Sequence, residues 1–294
     1  MLPFEYEGAV FRPPSEAGSL ILQATVGCSH NRCSFCAMYK QKRFHEREPE
    51  KLSREISAAA ALLPSTRRVF LADGNAMALP TIKLLGILEV LKGAFPLLER
   101  VAVYSNPQDL LQKDVDELIE LRRHKLGMIY LGVESGSALV LRDVHKGATP
   151  DEIIRGAMRV KTAEIPLSVT VINGLAGLEG SREHARETAR LLNEIDPAYL
   201  GLLSLMVVPG TIMHRRMRDG VLTSLGPWDL LREIRWMVKE LSLSNCVFRS
   251  NHASNYLPLK AILSRDQEKL LNALDLVLQN KSPSMLRKEY QRGL

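Results

Sequence analysis

Cysteine is scarce in this 294-residue chain: there are four, and three of them, Cys28, Cys33 and Cys36, fall within nine residues. So few, so clustered, exclude a disulfide scaffold. No stretch of about 18 uncharged apolar residues is present, so no membrane-spanning helix is expected. The opening Met1-Leu2-Pro3-Phe4-Glu5 has neither a basic segment nor an apolar one behind it, so nothing signals export. A cytoplasmic location with reduced thiols is the expectation. Aromatic residues are few, at 5%, and the basic excess lacks the aromatic interleaving of a dedicated nucleic-acid surface. There is no internal repeat and no low-complexity segment.

What is present is material for a large core. Hydrophobic residues make up 46% and charged residues 24% of the chain, the proportions of a soluble globular domain. The formal net charge of +6 and pI near 9.2 are compatible with an anionic partner. The excess is nonetheless small and spread along the chain.

Short β-branched runs alternate with amphipathic helical patterns, which predicts a parallel sheet with crossover helices. The strands are read at Leu20 to Val26, Arg68 to Ala72, Arg100 to Ser105, Met128 to Val133, Leu167 to Ile172 and Leu200 to Val208. Helices are expected at Pro49 to Leu63, Thr81 to Phe95, Asp114 to Arg123, Asp151 to Ala163 and Ser181 to Glu194. The acidic first turn after Asp114 complements a helix dipole, and Thr149-Pro150 reads as N-cap and first helical residue. Six such units in about 200 residues suit a partial (β/α)6 barrel better than a closed eight-unit one, which needs about 250. The fold class is therefore α/β, a partial (β/α)6 TIM-like barrel over 1–212 with a short N-terminal lead-in. A mainly helical C-terminal extension, 213–294, is expected to pack on it, with helices at Trp228 to Leu243 and Ser264 to Leu278. Chemistry belongs at the carboxyl ends of the strands.

The cysteines lie there, after the first strand, in Gly27-Cys28-Ser29-His30-Asn31-Arg32-Cys33-Ser34-Phe35-Cys36. Three thiolates on one loop hold a soft metal centre. Three in place of four leave one position open to a small molecule. A zinc site with His30 or the distant Cys246 as fourth ligand is the competing arrangement, although zinc ligands usually come as two close pairs. The CxxxxCxxC spacing with an aromatic before the last cysteine resembles the cluster loop of the radical SAM enzymes, whose usual pattern is one residue shorter in its first gap. The resemblance covers roughly residues 18–212. It implies that Cys28, Cys33 and Cys36 bind a 4Fe-4S cluster, and that the fourth iron binds the amino and carboxylate groups of S-adenosylmethionine.

The same resemblance assigns further cofactor contacts at the strand ends. Asp73 and Gly74, in Leu71-Ala72-Asp73-Gly74-Asn75 after the second strand, stand where family members receive the methionine amino group, and an ammonium needs acceptors. As a bare sequence the segment is also an ordinary turn. Glu134 and Ser135, after the fourth strand, stand where ribose hydroxyls bind. A carboxylate accepts from two vicinal hydroxyls, while Ser135 or Ser137 is equally a helix cap. Lys146 matches a family lysine that pairs with the cofactor carboxylate, and a solvated helix end also accounts for it. Ile172 and Gly174 match the adenine-binding turn, with Phe35 packing nearby. Val208-Pro209-Gly210-Thr211 reads as a turn.

As the family implies, an external one-electron donor such as flavodoxin or ferredoxin reduces the cluster. S-adenosylmethionine is then cleaved to methionine and a 5'-deoxyadenosyl radical that abstracts a hydrogen atom. The substrate is unidentified, with a small molecule favoured over RNA. An RNA-modifying enzyme of the same family is one alternative, marked by a continuous basic surface joining Lys40, Lys42 and Arg43 to the barrel mouth. A non-catalytic iron-sulfur electron carrier or zinc-stabilised binding protein is the other. Cys246 reads as a small core residue. The polar run from Arg249 to Tyr256 is either a plain loop or hairpin or a segment folded over the barrel mouth.

Overall fold

A computed structural model describes residues 4–293. In chain order its elements are β1 (Leu20–Gln23), β2 (Thr25–Val26), β3 (His45–Glu46), α1 (Pro49–Leu62), β4 (Arg68–Ala72), α2 (Thr81–Ala94), β5 (Arg100–Ser105), α3 (Pro107–Leu111), α4 (Val115–Arg123) and β6 (Leu126–Glu134). There follow α5 (Ala138–Asp143), α6 (Pro150–Thr162), β7 (Leu167–Asn173), α7 (Gly177–Ile195), β8 (Tyr199–Ser204), α8 (Ile212–Arg218), α9 (Pro227–Glu240), β9 (Cys246–Ser250), β10 (Leu259–Leu263) and α10 (Gln267–Asn280). The class is α/β with a mostly parallel sheet and helices between its strands. None of the helices is long and apolar enough to cross a membrane, among the described residues.

The chain forms two compact units. The first comprises the described residues within Met1–Asn31, Met38–Gly132 and Arg155–Leu167. Its main strands run in the order β1-β4-β5-β6, all parallel, and β2 and β3 form a separate antiparallel pair. Val69, Leu71, Val101, Val103, Ile129 and Leu131 are fully buried on one face. On the other, Phe70, Ala72, Ala102, Met128 and Tyr130 form a cluster onto which Ile21, Tyr104 and Val10 pack. A parallel strand buried on both faces reads as a continuous apolar run, which is why these strands stood out in the sequence.

The N-terminal lead-in is built into that second face. Tyr6 donates its hydroxyl to the Ile21 carbonyl at 2.9 Å. Glu16 is fully buried and accepts from the Tyr130 hydroxyl and the Arg100 guanidinium, each at 2.6 Å, and from Ser19. The predicted start of α4 is present as a reciprocal capping box. Asp114 accepts from the Glu117 N–H at 2.8 Å and Glu117 from the Asp114 N–H at 2.9 Å.

The second unit comprises Arg32–Ala37, Val133–Ile154 and the described residues within Ser168–Leu294. Its strands run β7-β8-β9-β10, with β9 parallel to β8 and β10 antiparallel to β9. The buried stripes of α7 and α9 carry polar side chains among the apolar ones: Ser181, His184 and Thr188 on α7 and Glu233 on α9. Thr149 caps α6 as expected, accepting from the Glu152 N–H at 3.3 Å and donating its own N–H to Glu152 at 2.8 Å.

Three boundaries differ from the sequence reading. Leu20 to Val26 is two strands, because after Ala24 the chain leaves β4 and pairs Thr25 and Val26 antiparallel with Glu46 and His45. The strand read to Val208 ends at Ser204, whose N–H and hydroxyl are taken by Ser254 and Asn255. Of the alternatives for the run after Leu243 the structure shows the hairpin, with β9 paired antiparallel to β10. Cys246, Phe248 and Ser250 are buried and Val247 and Arg249 point outward, a period of two hidden by its polar members. Val208-Pro209-Gly210-Thr211 is the expected turn, with Gly210 at φ +87°.

Replacing Glu16 by Ala removes the buried acceptor of the Tyr130 hydroxyl, which keeps only Ser15 at 2.8 Å, and unpairs Arg100. A loss of about 2–3 kcal/mol is expected, measured as a fall in the urea midpoint at unchanged slope.

Candidate functional site

The cysteine loop begins in the first unit, just after β2, at Gly27 with φ +75°. The carboxyl end of β4 closes on it. Asp73 is fully buried, and its Oδ2 accepts from the Gly27 N–H at 3.1 Å, Gln23 at 3.4 Å and the Lys42 ammonium at 2.5 Å. Its Oδ1 is buried with no partner. A buried carboxylate oxygen left empty is costly unless something else fills it.

Gly74 donates its N–H to the Gly27 carbonyl at 3.0 Å. A Cβ at Gly74 would lie 2.7 Å from that carbonyl oxygen and 2.8 Å from the Cys28 Cβ. The glycine is therefore required by backbone approach, not by turn geometry.

Three polar residues that the sequence reading passed over complete this half. Asn75 accepts from the Ser29 N–H at 2.9 Å and donates to the Ser29 hydroxyl at 2.7 Å and to Asp109 at 2.8 Å. Asp109 accepts from the Asn106 N–H at 2.7 Å. Asn106 in turn points its amide Nδ2 at the Cys28 sulfur, 3.6 Å away. Such a donor stabilises a thiolate. The signal for these residues was position alone, since Asn106 directly follows the end of β5 and Asn75 lies three residues past the end of β4. Within the first cysteine gap Asn31 adopts φ +42°, and its side chain donates to the Tyr39 carbonyl at 2.8 Å.

In the second unit, the rest of the loop is fixed through Ser34, whose N–H donates to the Val144 carbonyl at 2.9 Å and whose carbonyl accepts from the Met213 N–H at 3.0 Å. Phe35 and Ile172 pack against the same cluster of Val140, Val144, Leu175 and Met213. Glu134, at φ +65°, and Lys146 are both buried and paired at 3.1 Å. The structure thus brings together Phe35 with Ile172 and Glu134 with Lys146. Ser135 is placed differently from an open ligand contact. It is fully buried, and its hydroxyl meets His184 Nδ1 at 2.8 Å and accepts from the Ser137 N–H at 3.0 Å. Gly174, at φ +83°, donates its N–H to Glu233 at 2.7 Å.

Burial drives His184 and Glu233 toward their neutral forms. Desolvation lowers His184 to about 4, partly offset by the Ile172 backbone. It raises Glu233 to about 7, partly offset by donation from Ser181 and Gly174.

None of the four cysteines is in a disulfide. Cys28, Cys33 and Cys36 are each partly exposed, and the donor set of the loop is all sulfur, the choice of a soft metal centre. Among the described residues no three His, Cys, Asp or Glu side chains converge as they would on one ion. A multi-iron cluster places each thiolate on a different iron and so needs them farther apart. Cys246 is fully buried on β9, and burial pushes its thiol up to about 12. It stays protonated, as befits a core residue and not a ligand. The donor set of the loop therefore has the chemistry of a cluster held by thiolates, and within the first unit the buried Oδ1 of Asp73 suits a cationic group.

The family model described as the Radical SAM superfamily matches residues 22–192. A tRNA-2-methylthio-N(6)-dimethylallyladenosine synthase from Caldicellulosiruptor saccharolyticus is 28% identical over 202 residues, which is 64% of this chain and 41% of that protein. The chain spans well under half the length of the curated relatives it matches. Among solved structures, coproporphyrinogen III oxidase from Escherichia coli aligns with a TM-score of 0.60 at 18% identity, covering 76% of this chain and 52% of that one. Methylornithine synthase aligns with a TM-score of 0.53 at 14% identity, covering 88% and 81%. At these identities the structural likeness establishes the fold.

Two outcomes follow from the geometry. Gly74→Ala overpacks the Cys28 loop at a cost of about 1–3 kcal/mol. It is expected to lose most of its iron and sulfide after anaerobic reconstitution, while Gly93→Ala, with open space around the new Cβ, keeps them. The second concerns pH. A buried His184 held near 4 costs stability as pH falls from 6.5, and a Glu233 held near 7 gains it as pH falls from 7 toward 4.5. The two oppose each other. In Glu233→Gln only the histidine effect remains, so the variant is expected to lose more stability than the parent between pH 7 and pH 4.5, read from urea midpoints.

Proposed function

The chain belongs to the radical SAM superfamily, and from that premise we propose that it cleaves S-adenosylmethionine reductively and directs the resulting radical at a small-molecule substrate. It is an enzyme whose cofactors are a 4Fe-4S cluster and S-adenosylmethionine. Membership removes the electron-carrier and zinc-protein readings. The observation that carries the proposal is the CxxxxCxxC loop inside the matched residues. When reduced by an external donor, for which flavodoxin or ferredoxin is proposed, the cluster supplies the electron that splits the sulfonium into methionine and a 5'-deoxyadenosyl radical.

The protein's own part is to bind, orient and exclude water. Cys28, Cys33 and Cys36 hold the cluster. Asp73 Oδ1 receives the methionine ammonium, for which it has an empty buried acceptor. Gly74 keeps that carboxylate against the loop. Glu134 accepts from the ribose hydroxyls, and Lys146 offers a charge to the cofactor carboxylate from its place beside Glu134. Ile172, Gly174 and Phe35 form the adenine side, and Ser135 acts from beneath through its buried hydroxyl.

RNA is a second reading, favoured by the name of the curated relatives. Against it, Lys42 is only 12% exposed and is spent on Asp73 and the Ala9 carbonyl, and Lys40 is tied to the Asn31 carbonyl. The basic surface that would mark an RNA enzyme thus loses Lys42.

Anaerobically reconstituted, dithionite-reduced protein is expected to form 5'-deoxyadenosine from S-adenosylmethionine. Cys33→Ala should abolish it, a loss of at least about 1,000-fold in keeping with removal of the cofactor that carries the chemistry. A full, reducible cluster that neither forms the product nor shifts its electron paramagnetic resonance signal with S-adenosylmethionine would sink the proposal. Stimulation of product by bulk tRNA and not by small-molecule extract would decide for RNA.

A further inference from the structure

Two strand ends of the second unit are joined underneath by side chains that no exposed surface explains. After β6, the Gly136 N–H donates to Thr188 Oγ1 at 2.9 Å and the Ser135 hydroxyl meets His184 Nδ1 at 2.8 Å. After β7, the Gly174 N–H donates to Glu233 Oε1 at 2.7 Å, and the Ser181 hydroxyl donates to Glu233 Oε2. His184 Nε2 faces Glu233 Oε1 at 3.7 Å, and the pair closes the gap between the two sets. The carboxylate opposite Nε2 favours the tautomer with the proton there, so Nδ1 accepts from Ser135.

Ser135, His184 and Glu233 have the order of a hydrolytic triad, but each is fully buried. No acyl group reaches the serine, so nucleophilic catalysis is excluded. Burying a histidine and a carboxylate is expensive, and an apolar pair would fill the same space. What the polar pair provides is directional bonds to backbone at both strand ends. Gly136 has no room to move the other way, since a Cβ on it would stand 2.2 Å from the Glu187 carbonyl oxygen.

We propose that His184 and Glu233 are positioning residues for S-adenosylmethionine, locking the Glu134–Gly136 turn to the Ile172–Gly174 turn so that the ribose and adenine contacts keep a fixed spacing. This rests on the reading of Glu134, Ile172 and Gly174 as cofactor contacts. Glu233 comes from α9, beyond the residues 22–192 that match the family. The C-terminal part of the chain is thereby a working wall of the cofactor site.

The test is S-adenosylmethionine affinity of the reconstituted holoenzyme by equilibrium dialysis, with the cluster resonance recorded before and after addition. Glu233→Leu is expected to weaken binding about tenfold at full iron content and with an unchanged resonance in the absence of ligand. Glu233→Gln, which keeps an acceptor for Gly174, should restore affinity to within about threefold of the parent. Thr188→Val, which preserves shape and removes only the hydroxyl on Gly136, provides the milder probe should the leucine variant fail to fold. It is expected to weaken binding about threefold or more. Parental affinity in an iron-replete Glu233→Leu or Thr188→Val protein overturns the inference. Failure of the parent protein itself to bind S-adenosylmethionine overturns instead the functional reading on which it rests.

Discussion

A parallel strand ends with backbone groups that no neighbouring strand can satisfy, and a buried, unpaired N–H is among the more costly things a fold can contain. This protein meets that constraint with side chains at each end that matters. Asp73 takes the Gly27 N–H, Asn75 that of Ser29, and Asp109 that of Asn106. In the second unit Thr188 takes Gly136 and Glu233 takes Gly174. Because the partners are buried, the loops they hold are tied to the core. A radical enzyme needs such loops, since a misplaced cofactor exposes a reactive species to the wrong hydrogen atom or to water.

The same economy of contacts explains the lead-in. Val10 packs on the inner aromatic face and Glu16 is buried beneath Tyr130 and Arg100. Ala9 receives the Lys42 ammonium that also binds Asp73. One lysine therefore joins the lead-in to the β4 end and leaves the second oxygen of Asp73 empty. The polar and apolar parts of this region are mutually dependent: the carboxylates are tolerable because cations and hydroxyls reach them, and those cations are held by the fold around them.

Much of the candidate site was legible as candidate residues because its chemistry would be carried by rare residues in fixed order. The cysteine triplet, Asp73-Gly74 and Glu134-Ser135 all lie at strand ends that the apolar runs announced. Asn75, Asn106 and Asp109 were not legible, because asparagine and aspartate after a strand are the ordinary currency of turns and caps. His184 and Glu233 were hidden for another reason. They sit on amphipathic helices about fifty residues apart, where any charged residue reads by default as solvent-facing. The β9–β10 hairpin stayed one alternative among others because Arg249 and Ser250 masked the alternation of β9.

By itself the sequence determined the α/β class, the alternation of the main parallel strands with helices, and a loop of three thiols with the chemistry of a soft metal centre. These follow from local periodicity and residue chemistry, which need no knowledge of distant contacts. Tertiary structure alone decided that Gly74 is a point of backbone contact with Cys28, that Lys146 is paired with Glu134, and that Ser135 is buried in a hydrogen-bonded network. The reason is physical: a hydrogen bond or a steric limit between residues far apart in sequence exists only once packing has fixed their distance, and no spacing along the chain encodes it.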